Sequence, residues 1–160
     1  MKLSEFMVGE AIIPELEAHD RDGVIRELVE SLAAAGSISP DDVEEITQKT
    51  IEREQQGSTG IGKGIAVPHV KHSSVKEIVG TVGRSSEGVD FRSLDKEPVY
   101  SVLLLLSPPN KPDQHLEAME GLFAHLQKDM FRKFLRQSDS KEAIIDLLNE
   151  ADDPAQQSGL

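Results

Sequence analysis

From Gly57 to His69 the chain reads Gly-Ser-Thr-Gly-Ile-Gly-Lys-Gly-Ile-Ala-Val-Pro-His, a glycine-dense loop that passes through three apolar residues into a histidine preceded by proline. Gly57, Gly60, Gly62 and Gly64 let the backbone come close to an anion and turn amide hydrogens toward it, because no Cβ blocks left-handed or extended conformations. Ile65, Ala66 and Val67 read as a short buried strand, and Pro68 fixes φ beside the imidazole, so His69 is expected to be rigidly aimed. Such a histidine suits acceptance of a phosphoryl group. A neutral imidazole offers one nitrogen lone pair to phosphorus while a hydrogen bond to its other nitrogen fixes the tautomer. Charge in the transferring group spreads over its equatorial oxygens, so positioned cations and donors do most of the catalytic work. Arg53 and His115 are the candidates for that role, with Ser58, Thr59 and the amides of Gly60, Gly62 and Gly64 as phosphate-binding donors.

A rival reading gives the loop a nucleotide. Gly57, Gly62 and Lys63 satisfy G-x-x-x-x-G-K. The final position is Gly64, however, where the nucleotide loop needs a Ser or Thr hydroxyl for Mg²⁺. Such a loop also follows a buried strand and opens a helix, whereas here the polar, helix-like Ile51 to Gln56 precedes it and an apolar strand follows. A metal-binding Asp after Val102 to Leu106 is missing too, since Ser107, Pro108 and Pro109 come next.

The surrounding elements must place these residues together. Val24, Ile25, Leu28, Val29 and Leu32 recur at helical spacing between Asp20 and Ala35, and Gly36 closes that helix. Ser39-Pro40-Asp41-Asp42 supplies a cap, a proline for the first helical position and acids for the first turn of a second helix, which delivers Arg53 to the glycine loop. Residues 78–84 alternate as a strand, and Val99 to Leu106 is apolar on both faces, as in a central strand. After Pro108-Pro109, Leu116, Met119, Leu122, Phe123 and Leu126 predict a helix from about Pro112 to Gln127, with His115 in its first turn beside free amides and the positive end of the helix dipole. Met130 to Leu135 and Ala143 to Leu148 predict two more helices. Helices flanking a strand cluster predict a three-layer α/β/α sandwich around a mixed β-sheet.

The signature also resembles a known family. Arg53-Glu54, then Gly57-Ser58-Thr59-Gly60-Ile61-Gly62, then Gly64-Ile65-Ala66-Val67-Pro68-His69 is similar to the active-site pattern of fructose/mannitol-type enzyme IIA domains of the bacterial phosphoenolpyruvate-dependent phosphotransferase system, nitrogen-regulatory members included. The resemblance runs from Leu3-Ser4-Glu5-Phe6 to the helix near Ile144-Leu148. It implies the same sandwich, with His69 as phosphoryl acceptor, Arg53 and His115 as its helpers, and no cofactor or metal. It also implies an HPr-like phosphocarrier as donor and an enzyme IIB or a regulatory protein as target. The chain standing alone weakly favours the regulatory branch. One position departs from the pattern: the residue after the histidine is usually small, and Val70 here is expected to narrow the rim of the site or alter partner fit.

Composition sets the frame. The chain has 160 residues, no cysteine and a net charge of −12. One core of ordinary size is expected over residues 1–150, followed by a polar, disordered tail over 151–160. Without cysteine there is neither a disulfide framework nor a thiol nucleophile, and no secretory signal is apparent, so a cytoplasmic location is expected. The acidity disfavours nucleic acid and suits a basic partner surface. The apolar run Val102 to Leu106 is far too short to insert in a membrane. His69 and His72 do not form a metal pair on an extended segment, where residues three apart face opposite ways. His19, His72 and His125 read as surface or packing residues, and Lys63 and Lys71 as solvated lysines.

Overall fold

A computed structural model describes residues 1–153. Its centre is β5 (Val99–Ser107), the apolar run expected to lie in the middle. On one side β4 (Val79–Val89) pairs antiparallel with it; on the other, β2 (Ile65–Ala66) and β3 (His69–Lys71) pair in parallel. Ile65 stands opposite Ser101 and His69 opposite Leu105, so β2 and β3 form one strand line interrupted at Val67-Pro68. Pro68 has no N–H to give the ladder, but its carbonyl accepts from the Leu105 amide at 3.0 Å. The proline thus sits in the sheet without orphaning its neighbour.

Before that line lies β1 (Gly60–Gly62), antiparallel to β2. The two-residue turn between them is Lys63-Gly64, at φ 59° and 79°. Positive φ at both central residues is what a type I′ hairpin turn demands. At the other edge, the chain from Met7 to Leu16 lies along β4: the Val8 amide donates to the Gly80 carbonyl at 2.8 Å and the Ile13 amide to that of Val82 at 2.9 Å. That edge is therefore covered, as an unpaired strand edge must be to avoid association.

Alternation along β5 sends side chains into two cores. Leu103 and Leu105 pack beneath α1 (Leu3–Phe6), α4 (Pro112–Leu126), α5 (Asp129–Gln137) and α6 (Lys141–Asp152). Val102, Leu104 and Leu106 pack beneath α2 (Arg21–Ala34) and α3 (Val43–Gln56). The mixed sheet with helices on both faces is the sandwich expected from the sequence. Asp20 caps α2 by accepting from the Gly23 amide at 2.6 Å. Residues Pro40–Asp42 form a 3₁₀ turn, so α3 starts at Val43, after the expected cap.

The C-terminal boundary needs correction. The last helix runs to Asp152, with Ala151 fully buried, so these residues belong to the folded unit rather than to a tail over 151–160. Asp152 accepts from the Leu3 and Ser4 amides at 2.7 and 2.8 Å, capping α1 from 149 residues away. The remainder of that expected tail, from Pro154, lies outside the described residues. Among the described residues no helix is long and apolar enough to cross a membrane.

Candidate active site

The site begins at the interruption in the β2–β3 line. His69 is half-buried, and its Nδ1 lies 2.8 Å from the Val67 carbonyl oxygen. A carbonyl only accepts, so Nδ1 carries the hydrogen and Nε2 of the neutral ring holds a free lone pair. Pro68 between them fixes the turn that brings ring and carbonyl together. Because His69 pairs with Leu105, it emerges on the face that α4 covers. There its ring centroid stands 5.9 Å from that of His115, with the planes tilted 43°.

His115 sits in the first turn of α4, after Pro112 at its start. Its Nδ1 is hydrogen-bonded at 2.6 Å to Oγ of Ser107, the fully buried last residue of β5. Burial pushes the His115 imidazole below its ordinary pKa, with smaller contributions from the charges of Lys71 and His69. Lys71 follows His69 by two residues on the same strand and so shares its face, an exposed cation beside both rings.

Arg53 occupies the last turn of α3, and its guanidinium donates to the Gly57 carbonyl at 2.8 Å. It grips the loop's first residue and thereby closes the helix end. The next residue along, Glu54, is nearly fully buried; its carboxylate accepts from the Thr59 amide at 3.1 Å and from the Thr59 hydroxyl. The Thr59 carbonyl in turn accepts from the Val67 amide at 3.1 Å. A continuous chain of contacts therefore runs from α3 through the loop to the carbonyl that orients His69.

Several predicted phosphate ligands have other duties. Ser58 Oγ donates to the Phe91 carbonyl at 2.5 Å and accepts from the Gly60 amide at 2.9 Å, and Thr59 is turned onto Glu54. These groups brace the loop against the 91–97 segment and α3. Gly60 is required for close approach, since a Cβ there would collide with the Ser93 hydroxyl. Gly62 and Gly64 leave the site altogether: they shape the hairpin tip, where the Gly64 carbonyl accepts from the Tyr100 and Ser101 amides at the start of β5. His69 lies five positions beyond Gly64 along this extended line, roughly 16 Å away. The nucleotide-loop reading fails on the same ground, because Gly57 to Lys63 is half of a β-hairpin that follows a helix. Val70 faces the other way, against the α2–α3 core, and does not narrow the rim around His69.

His72 is a buried structural residue: its Nδ1 accepts from the Ser74 amide at 3.1 Å and its Nε2 lies 3.2 Å from the Glu45 carboxylate. Ser107 and Glu54 stand at the site without a role assigned from sequence, and Lys71, read there as a solvated lysine, lies beside the two rings. Glu54 lay inside the signature pair Arg53-Glu54, the one signal the sequence offered for it, and its burial at the end of α3 is visible only in the structure.

Paired imidazoles at the end of a mixed sheet, one held with Nε2 free, form an arrangement suited to phosphoryl transfer. The chain belongs to the family described as "Phosphoenolpyruvate-dependent sugar phosphotransferase system, EIIA 2", whose model matches residues 5–151, and is a phosphoryl carrier of that system. It is similar to the fructose-specific EIIABC component of Bacillus subtilis strain 168, at 37% identity over 152 residues, 95% of this chain. The match spans only 24% of that longer protein. Against a nitrogen regulatory protein of Bradyrhizobium diazoefficiens identity is 30% over 148 residues, covering 92% of this chain and 95% of the relative. The crystal structure of the nitrogen regulatory protein IIA-Ntr from Neisseria meningitidis superposes with TM-score 0.82 at 29% identity, covering 91% and 98% of the two chains. The fold is also shared with enzyme IIAMTL of Escherichia coli, solved in complex with phosphorylated enzyme IIBMTL, at TM-score 0.73, 23% identity and coverage of 88% and 94%.

Proposed function

We propose that His69 Nε2 accepts a phosphoryl group from an HPr-like phosphohistidine carrier and hands it to an enzyme IIB domain or signals through its own phosphorylated state. The observation that carries this reading is the 2.8 Å bond from His69 Nδ1 to the Val67 carbonyl, which leaves Nε2 as the nucleophile. In the transfer, the Nε2 lone pair forms a bond to phosphorus while the donor's P–N bond breaks and its electron pair returns to the donor imidazole. With Ser107 Oγ–H donating to His115 Nδ1, the neutral His115 ring would carry its proton on Nε2 and offer it to a phosphoryl oxygen. The lowered pKa of His115 suits a neutral donor at pH 7. Lys71 supplies positive charge nearby, and Arg53 either holds the loop or turns onto the phosphoryl oxygens.

The recipient divides the reading in two. Similarity to the fructose component supports transfer to an enzyme IIB, while a match along nearly the whole of a nitrogen regulatory protein supports signalling to a protein target. Both use the same chemistry, carried out in the cytoplasm where HPr-type carriers work.

The test is to incubate the protein with phosphoenolpyruvate, enzyme I and HPr. Wild type is expected to gain acid-labile phosphate on Nε2, identified by ³¹P NMR, and His69→Ala to gain none; equal labelling of both would remove His69 as acceptor. His115→Ala and Arg53→Ala are expected to keep the fold and slow transfer by about 10²–10³-fold, the worth of a typical oxyanion donor. Adding a fructose-type enzyme IIB then separates the two recipients, since only a transport component passes its label on.

A further inference from the structure

We propose that the groove between the Lys63 hairpin tip and α5 binds a compact polyanion, an inorganic or organic diphosphate or triphosphate. Lys63, Arg132, Lys133 and Arg136 line this opening of about 570 Å³, together with Asp129 and Gln137. Four cations against one carboxylate give the groove a net charge of +3 in a chain whose total is −12. Such a concentration of positive charge in an acidic protein focuses attraction on one place.

The two guanidinium groups are held in position. The Arg136 guanidinium stacks 3.6 Å from the centroid of Tyr100. Arg132 donates to the Leu126 carbonyl at 2.7 Å and pairs with Asp129, which leaves further guanidinium donors for a ligand. At the facing wall the Lys63 backbone is fixed, its amide bonded to Asp95 at 2.9 Å and its φ at 59°. Lys133 and Arg136 are exposed, so they meet a ligand without first leaving the interior. Guanidinium forks already oriented before binding lose little entropy and match phosphate oxygens in pairs. The volume falls within the range of small-ligand sites.

The groove is separate from His69, since the hairpin tip rests on the start of β5 and His69 pairs near its end. Occupancy leaves the phosphoryl-transfer face open. The lysine of the near-miss nucleotide motif thus meets phosphate at a hairpin tip rather than within a loop that opens a helix.

The experiment is a titration of ¹⁵N-labelled protein with pyrophosphate and with tripolyphosphate at constant ionic strength, sulfate serving as control and a polyglutamate peptide as a separate arm. Saturable amide shifts at Lys63, Gly64, Lys133 and Arg136 are expected. Lys133→Ala and Arg136→Ala should each weaken binding by about tenfold, the worth of one charge-assisted contact, and should leave the circular dichroism spectrum and His69 phosphorylation unchanged. Shifts confined to His69 and His115, non-saturating shifts matched by sulfate, or saturation by polyglutamate but not by pyrophosphate would each overturn the proposal.

Discussion

At the scale of single residues, the two imidazoles divide the work through their hydrogen bonds. His69 gives its Nδ1 hydrogen to a backbone carbonyl, which no side-chain change can remove, whereas His115 leans on one hydroxyl, Ser107. Ser107 is a positioning residue in this scheme. Ser107→Ala should slow phosphoryl transfer by about three- to tenfold, the worth of one neutral hydrogen bond, and should shift the pH dependence of the rate by freeing the His115 tautomer. It should fall short of the loss in His115→Ala. Single-turnover transfer measured across pH checks this; a slower rate with an unchanged pH profile would mean that Ser107 only packs. His69 and the first-turn position of His115 were legible because proline and glycine announce them locally. Ser107 was not, because its role follows from where β5 ends relative to α4.

The hairpin shows the same limit at the scale of elements. A Gly-Ile-Gly strand has little β propensity outside its single Ile and exists through pairing with β2 and a tip that tolerates positive φ at Lys63 and Gly64. The glycines were visible in the sequence, but their spacing read as a phosphate cradle because register is not a local property. Their separate duties can be tested. Gly60→Ala should push Ser93 off the loop, cost about 1–3 kcal/mol of stability by overpacking and slow transfer to His69. Gly64→Ala should cost about 1–2 kcal/mol through the left-handed backbone and leave transfer per folded molecule untouched. Thermal melts combined with HPr-dependent labelling distinguish the two, and slowed transfer in Gly64→Ala would return the tip to the site. By contrast, α2 and β5 were readable in full, since one shows helical periodicity and the other an unbroken apolar run.

For the whole molecule, burial of imidazoles sets an acid limit. The pKa values of His115 and His125 both lie below the ordinary value, chiefly through burial, with Lys128 and Asp152 acting on His125 in opposite senses. The unfolded chain therefore takes up protons at higher pH than the folded one. Stability is complete above about pH 6.5 and falls as pH drops below it toward the folded pKa values. Melting temperatures between pH 7.5 and 5.5 should decline, and His125→Leu should flatten part of that decline; a flat wild-type profile would contradict it.

The cap that Asp152 places on α1 has a further consequence. Both ends of the described fold leave from one point, so a longer polypeptide can enter and exit there without pulling the sheet apart. The domain is thus a plug-in unit, to which any neighbour would be joined at a single seam. A circular permutant, the two ends of the described fold bridged by a short flexible linker and new ends opened at the exposed Gly36 after α2, should still fold and still accept phosphate from HPr. Loss of folding with a linker long enough to span the seam would show that the junction bears more of the architecture than a cap.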